Sequence, residues 1–303
     1  MNKLKKIVYT FARNHAKNYI TGNLGKVVED DEKITCYVRR NKVKKKNYTI
    51  ACFGIGKKQK EIAEAYKLNK PICYVIDGLE LKKHNVYIFG YNNCEVVIKN
   101  CNFGFDVYIC VNGKCTLDNT HITTYSFLSI GANELIIKNM NSDQIRVISS
   151  KGNIGFSAND RLDITDSNIG KKKEKNRFSF SATNELNIVN SKIIGDEIIC
   201  KSDKIKTDKN SSLTAGKMID LKTEDFDSIN ISSPTIVLNG NEIPNEKDSI
   251  VFRKITDSLT LKRLELVQLL KKIKNKCELV SSEKVEAYKS ELSDKPISKV
   301  LKK

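Results

Sequence analysis

The sequence contains no tryptophan, three histidines and four prolines in 303 residues. It also lacks any long apolar run: stretches such as 86–89 are strand-sized, far below the roughly 20 residues that a membrane-spanning helix needs. The basic start, 1–6, is followed by a short apolar stretch, 7–12, which Thr10 interrupts, and we therefore expect no secretory signal. These absences argue against a membrane-spanning or exported protein.

The nine cysteines form no CxxC motif and no paired Cys/His spacing, which argues against the common zinc-binding patterns. Cys52, Cys73, Cys94 and Cys115 follow one another at 21-residue intervals, and this spacing raises the question of a metal or cluster site. We interpret them instead as small, inward-facing, reduced thiols. No cofactor is expected, and free thiols favour a cytoplasmic location.

Positive charge is concentrated at the two ends of the chain. Residues 1–83 hold 20 Lys/Arg against 8 Asp/Glu, and residues 253–303 hold 14 against 7. The stretch between them, 84–252, is close to neutral, with 19 against 21. Any partner that recognises positive charge is therefore expected at the ends.

A repeat runs through the middle of the chain, with the pattern apolar, x, apolar, x, Asn/Asp, small, x, apolar. Its five clearest copies are 96–103, 115–122, 135–142, 162–169 and 186–193. Two degenerate copies follow, and the Asn/Asp positions step by 19, 20, 27, 24, 20 and 23 residues. The longer steps contain 152–155 and 170–176, whose composition predicts loop insertions. A repeat of this length is typical of a solenoid.

Each repeat contains a second alternating strand, in a series that runs through 86–89, 107–110, 127–130, 145–148, 178–180, 198–200 and 218–221. Two short strands in roughly 20 residues, joined by Asn, Gly and Ser turns, predict one coil of a β-solenoid. Asn tolerates the left-handed backbone of a tight turn and can bond along the axis. We therefore predict a structural ladder of Asn100, Asn119, Asn139 and Asn190.

This rhythm resembles that of the right-handed parallel β-helix superfamily, over about residues 71–245. The resemblance implies an all-β fold, a right-handed parallel β-helix of about seven to eight coils. Many unrelated activities share the fold, so the resemblance implies no particular function.

The two ends are predicted to cap this solenoid, because open solenoid ends expose strand edges. Residues 1–70 are predicted as a basic N-terminal α/β cap with a helix, a hairpin at 34–54 and a short helix at 58–68. Residues 246–303 are predicted as a basic C-terminal helical tail, because apolar residues recur there at helical spacing. The tail helix either packs on the last coil or serves self-association or a protein partner.

Two basic clusters are the candidate contacts for nucleic acid or another anion. They comprise Arg39, Arg40, Lys42, Lys44, Lys45 and Lys46 in the first cluster and Lys271, Lys272, Lys274 and Lys276 in the second. Tyr37 and Tyr48 flank the first cluster and could stack on bases. A solvated loop is an interpretation of at least equal weight. An anionic membrane surface is a third but less expected one, because residues 1–19 could form a basic amphipathic helix.

No catalytic or metal-binding residue is assigned from the sequence. The solenoid carboxylates do not form the Asp-Asp, Asn-x-Asp or Gly-His-Gly groupings of β-helix enzymes that act on acidic polysaccharides. The sequence therefore favours a non-catalytic intracellular scaffold or interaction protein that docks partners or self-assembles through its ends. A nucleic-acid-binding protein is the first alternative, and a carbohydrate-active enzyme is the second.

Overall fold

The fold was described from a computed structural model. The structure describes residues 24–38, 47–53, 70–125, 127–148, 153–171, 175–226, 229–243 and 250–252. All regular secondary structure in these ranges is β-strand. In chain order the strands are β1 (Leu24–Glu29), β2 (Ile34–Val38), β3 (Asn47–Phe53), β4 (Ile72–Asp77), β5 (Glu80–Leu81), β6 (Asn85–Lys99), β7 (Asn102–Gly104), β8 (Val107–Asp118), β9 (His121–Thr124), β10 (Phe127–Lys138), β11 (Ile145–Val147), β12 (Asn153–Thr165), β13 (Asn168–Ile169), β14 (Arg177–Ala182), β15 (Glu185–Val189), β16 (Lys192–Lys201), β17 (Lys204–Thr207), β18 (Ser212–Lys222), β19 (Asp225–Phe226), β20 (Ile229–Ser232), β21 (Thr235–Leu238), β22 (Asn241–Ile243) and β23 (Ile250–Phe252).

The strands form three faces that run along the solenoid. Face 1 stacks β3, the first parts of β6, β8, β10 and β12, then β14, the second parts of β16 and β18, and β21. Face 2 stacks β2, β4, the second parts of β6, β8, β10 and β12, then β15, β17 and β19. Face 3 contains β5, β7, β9 and β11, followed by β13, the first parts of β16 and β18, and β20.

Pairing between successive turns is parallel throughout these faces, and the result is an all-β, right-handed-type solenoid of about seven turns. The predicted parallel β-solenoid is thereby confirmed. Antiparallel pairs occur in the first and last turns, where β1 pairs with β2, β22 with β21 and β23 with β20. The described ranges contain no helix with the length and hydropathy that a bilayer crossing needs.

The core is a set of inward-facing apolar rows, one residue per turn in each row. On face 2, Val96, Cys115 and Leu135 lie in register and are fully buried. On face 1, Phe156 and Phe180 stack with their ring centroids 5.3 Å apart. Alternation along each strand points every second side chain inward, so each turn contributes a stripe that only its neighbours can cover.

The corner between faces 2 and 3 follows directly from the repeat. Its Asn/Asp position adopts a left-handed backbone, with φ of 42° at Asn119 and 55° at Asn139. The small residue that follows is buried and bonds within its own turn and to the preceding one. The Ser191 hydroxyl donates to the Val189 carbonyl at 2.7 Å and accepts from the Ser167 amide of the preceding turn at 3.1 Å. This hydroxyl satisfies backbone groups that the turn would otherwise leave unpaired in the interior.

The structure corrects the predicted hairpin at 34–54. β2 and β3 do not pair with each other; β2 pairs in parallel with β4, and β3 pairs in parallel with β6. The antiparallel hairpin is formed by β1 and β2 instead. Both predicted hairpin strands belong to the first turn of the solenoid, so the parallel stack begins at Ile34 and not near residue 71.

Two assignments within the repeat are also wrong. Residues 152–155 were predicted as a loop insertion, but β12 begins at Asn153 and supplies the face 1 strand of that turn. Ile145–Val147 lies on face 3, where it pairs with β9, and does not continue the face 1 series. Part of the extra length of this step lies at the corner between faces 2 and 3, because Ile145 pairs with Ile122 but follows Asn139 by six residues, whereas Ile122 follows Asn119 by three.

The other predictions for the ends fall mostly on residues outside the described ranges. This applies to the helices at 1–19 and 58–68 and to the helical tail beyond residue 252. The described part of the predicted tail is β23, which is a strand.

Candidate functional site

Both predicted basic clusters, 39–46 and 271–276, lie outside the described residues. The two strands that border the first cluster are described, however. β2 ends at Val38 on face 2, and β3 begins at Asn47 on face 1. Asn47 pairs in register with Asn85, whose side-chain amide donates to the Asn47 side-chain oxygen at 2.9 Å. The residue that follows the basic run 39–46 is therefore the first residue of a face 1 strand.

The two tyrosines beside the basic run are not equivalent. Tyr48 occupies the inward row with Val86, and its hydroxyl is buried with no hydrogen-bond partner among the described residues. Burial raises the pKa of Tyr48. Tyr37, by contrast, is 38% exposed on face 2. The predicted pair of base-stacking tyrosines is therefore not presented on one surface.

Face 1 instead presents a cluster of outward-facing aromatic side chains near the first turns. This aromatic patch consists of Tyr87, Phe89, Tyr91 and Tyr108. The ring centroid of Phe89 lies 6.4 Å from that of Tyr91 and 5.9 Å from that of Tyr108, and Tyr91 is 41% exposed. The patch lies beside β3, because Thr49 and Ala51 pair with Tyr87 and Phe89. Sequence alternation predicts strands at 86–89 and 107–110, which hold Tyr87, Phe89 and Tyr108, but it does not show that these residues and Tyr91 meet on one surface.

Beyond the patch, two outward rows of face 1 carry small side chains, and one of these rows ends in lysines. Tyr108 is followed in its row by Ser129, Gly155 and Ser179, and Cys110 is followed by Gly131, Ser157, Ser181, Lys201 and Lys222. Such small side chains leave the sheet flat over several turns. The aromatic patch therefore stands above the rest of the face.

The four residues of the predicted Asn ladder all lie at the corner between faces 2 and 3. The Asn119 amide donates to the Asn100 side-chain oxygen at 2.8 Å. The other two bond to acidic side chains: Asn139 donates to Asp118 at 2.8 Å, and Asn190 donates to Asp166 at 2.8 Å. A second ladder, which the sequence analysis missed, lies at the corner between faces 1 and 2.

That second ladder runs through side-chain amides one turn apart. Asn133 donates to Asn112 at 3.3 Å, and Asn159 donates to Asn133 at 2.8 Å. These residues lie between the two strands of the repeat, where no apolar pattern flagged them. Both ladders hold corners together and face solvent, so we assign them structural roles.

Face 2 carries a charge ladder, which we define as its outward row Glu95, Lys114, Glu134, Arg161, Glu185, Lys204 and Asp225. Each of these residues pairs in register with the next, so the sign alternates at every step. A neighbouring outward row also pairs opposite charges between turns: Lys99 lies 3.4 Å from Asp77, and Lys138 lies 3.4 Å from Asp118. This alternation explains why the middle of the chain is nearly neutral although it is rich in charge.

The cysteines of the described core are buried thiols that form no disulfide. Cys36, Cys52, Cys94 and Cys115 are buried, and none of the eight described cysteines is in a disulfide. Burial raises the pKa of Cys36 and Cys115 to about 12. Cys110, beside Tyr108 on face 1, is exposed. A thiol that stays protonated is a poor nucleophile and a poor metal ligand.

Within the described ranges no group of three or more His, Cys, Asp or Glu side chains could hold a metal ion. His121 bonds locally, with its Nε2 atom 3.1 Å from the Thr123 hydroxyl. Searches of family models, curated proteins and solved structures found nothing that matches this chain.

Proposed function

We propose that this chain is a non-catalytic scaffold or interaction protein that uses the aromatic patch of face 1 as its docking surface. The observation that supports this function most directly is a cluster of four neighbouring outward-facing aromatic side chains, of which Tyr91 is exposed and the other three are half-buried. Clustered aromatic residues on a surface are typical of protein interfaces, where they contribute large contact areas at low entropic cost.

The solenoid suits this role because it holds the patch rigidly. Tyr87 and Tyr108 pair in register on adjacent parallel strands, and their neighbours along each strand, Val86, Ile88, Val107 and Ile109, are fully buried. A preformed surface loses little conformational freedom when a partner binds. The free thiols of the described core also suit a reducing compartment, and we propose the cytoplasm as the location.

Self-association is the first form of docking to test. We expect a concentration-dependent dimer in sedimentation velocity that persists at high salt, because an aromatic interface depends weakly on charge. Replacing Tyr87, Phe89, Tyr91 and Tyr108 with serine should abolish the dimer. Serine already occupies the outward row of Tyr87 and Tyr108 at Ser129, and that of Phe89 at Ser157, so the fold should tolerate the change.

A matched control for this variant is Tyr125→Ser. Tyr125 is 58% exposed and stacks on Phe105 with ring centroids 5.7 Å apart, outside the patch. It should leave the dimer intact. A protein that stays monomeric at high concentration, or a dimer that survives the four serine substitutions, would reject the patch as a self-association surface.

A second candidate function is binding of single-stranded nucleic acid at the same patch. The favouring observation is that the chain leaves the basic run 39–46 at Asn47, two residues before Thr49, which pairs with Tyr87. Cations that follow a backbone, combined with aromatic side chains that stack on bases, are the usual means of binding single strands.

Fluorescence anisotropy with short single- and double-stranded DNA and RNA, across a salt series, separates the two functions. Nucleic-acid binding predicts sub-micromolar affinity that weakens steeply with salt. It also predicts loss of affinity both in the four-serine variant and when Arg39, Arg40, Lys42, Lys44, Lys45 and Lys46 are neutralised. No binding at low salt would reject this function and leave protein docking.

A further inference from the structure

A groove opens at the corner between faces 1 and 2 in the later turns of the solenoid, with a volume of about 560 Å³. Its floor is a row of small buried residues, one per turn: Ala158, Ala182, Ser202 and Thr223. The exposed Asn239 also lines the groove, and its side-chain oxygen accepts from the Thr223 amide at 2.9 Å. Nearer the first turns the same row holds the larger Val111. The groove exists because small side chains leave the corner unfilled, and its size is that of a small-molecule site.

Charges of opposite sign line the two banks of the groove. Lys201 and Lys222 lie on the face 1 side, and Asp203 and Glu224 lie on the corner side. The motif is the same in both turns, since each lysine is followed by a hydroxyl residue and then by a carboxylate. All four charged side chains are exposed.

This arrangement breaks the charge rule that the rest of the solenoid follows. On face 2 the in-register neighbours alternate in sign, whereas Lys201 and Lys222 pair in register with the same sign. The registers of the described strands contain no other like-charged pair. Like charges directly opposite each other destabilise a sheet, and such exceptions are expected at functional sites.

Polar groups in the groove are also left without partners in the described part of the chain. The Ser202 side chain is 4% exposed, and its hydroxyl makes no hydrogen bond there. Lys201, Asp203 and Glu224 form no ion pair there, whereas Lys222 lies 3.4 Å from Asp220. A buried hydroxyl without a partner costs stability, and a bound polar ligand removes that cost.

We propose that this groove binds a zwitterionic small molecule of about dipeptide size. The ligand carboxylate lies against Lys201 and Lys222, its ammonium group lies against Asp203 and Glu224, and a polar atom between them bonds the Ser202 hydroxyl. A simple anion is repelled by the carboxylates, and a simple cation is repelled by the lysines. Recognition therefore requires both charges on one molecule.

The test uses diglycine as the zwitterionic probe and two blocked analogues, N-acetyl-diglycine with only the negative charge and glycylglycinamide with only the positive charge. Amide chemical shifts of Ser202, Thr223 and Asn239 are followed by NMR on the full chain. We expect saturable shifts with diglycine at low-millimolar concentration and affinity at least about tenfold weaker for each analogue. Absence of saturation up to about 20 mM, or equal affinity for either analogue, overturns the proposal.

Variants separate ligand binding from folding. Lys201→Gln with Lys222→Gln, and Asp203→Asn with Glu224→Gln, should each weaken diglycine binding at least about tenfold. The matched control is Lys206→Gln with Glu185→Gln, an ion pair of 2.7 Å on face 2, which should leave binding unchanged. If either groove variant retains full affinity, the assignment of the banks is wrong.

A stability measurement tests the same site without any ligand. Lys201→Ser removes the like-charged neighbour of Lys222 and restores the serine found one turn earlier at Ser181. This variant should unfold at a higher temperature than the natural chain while binding diglycine more weakly. A lower unfolding temperature would show that Lys201 is present for stability and would contradict a binding role.

Discussion

Replacing Glu134 with lysine tests the charge ladder of face 2. Glu134 lies in register between Lys114 and Arg161, and its side chain is exposed. Each of the two opposite-charge neighbours contributes about 0.5 kcal/mol at an exposed sheet position. Glu134→Gln removes both attractions and should lower the free energy of unfolding by about 1 kcal/mol. Glu134→Lys also adds two repulsions and should lower it by about 2 kcal/mol.

Urea unfolding followed by circular dichroism, at low and at high salt, measures both variants. The twofold ratio should hold at low salt, and the gap between the variants should shrink as salt screens the charges. Lys192→Glu is the control, because both in-register neighbours of the exposed Lys192, Asn168 and Ser212, are uncharged. If Glu134→Lys destabilises no more than Glu134→Gln, or if salt leaves the gap unchanged, the row is not an electrostatic ladder.

Three further predictions concern the corners and the core. Gly170→Ala should lower the free energy of unfolding by at least about 3 kcal/mol, because φ at Gly170 is +78° and a Cβ atom would lie 2.1 Å from the Ile194 carbonyl oxygen. Gly240→Ala, at φ +81° with open space around it, should lower it by only about 1 kcal/mol. Equal shifts of the two unfolding temperatures would contradict this reasoning. Asn119→Ala should destabilise more than Asn119→Gly in urea unfolding, because both lose the bond to Asn100 but only alanine is strained at φ 42°; a reversed order would refute the turn argument. Iodoacetamide at mildly alkaline pH should label Cys110 and spare Cys36, Cys115 and Cys200 in peptide mass mapping, and fast labelling of these three would contradict their burial. Because the pKa of each buried thiol is about 12 in the folded state and 9.0 in the reference state, the free energy of unfolding should fall as pH rises from about 9 toward about 12.

The parallel solenoid could be predicted because its signal is local. Alternation in stretches such as 96–98 and 135–137 identifies the inward rows, and Asn at a fixed offset identifies the turn. Short strands of this kind are stable only when stacked, so the repeat itself predicts the fold.

Register between turns could not be predicted, because the steps between copies vary from 19 to 27 residues. A strand pattern at 145–148 fits face 1 as well as face 3, and only the pairing of β11 with β9 decides between them. The same limitation caused the mistaken hairpin at 34–54. Two alternating strands separated by a polar loop predict a hairpin locally, but the long-range parallel partners β4 and β6 prevail.

The candidate surfaces depend on the register even more strongly. Tyr87 and Tyr108 are 21 residues apart in the sequence and direct neighbours in the sheet. Lys201 and Lys222 are separated by the same interval and also become neighbours. The composition of the chain directs attention to the positive charge at its two ends, but the like-charged pair of Lys201 and Lys222 lies in the nearly neutral stretch 84–252. No property of one segment alone reveals such pairs.

The alternating signs on face 2 limit how this protein can change its length. Removing one complete turn would place two residues of like sign, such as Glu95 and Glu134, in adjacent positions. Removing two turns would preserve the alternation and bring Glu95 beside Arg161. Growth or shortening of the solenoid by gene duplication or deletion is therefore favoured in pairs of turns, and an engineered extension should follow the same even-numbered rule.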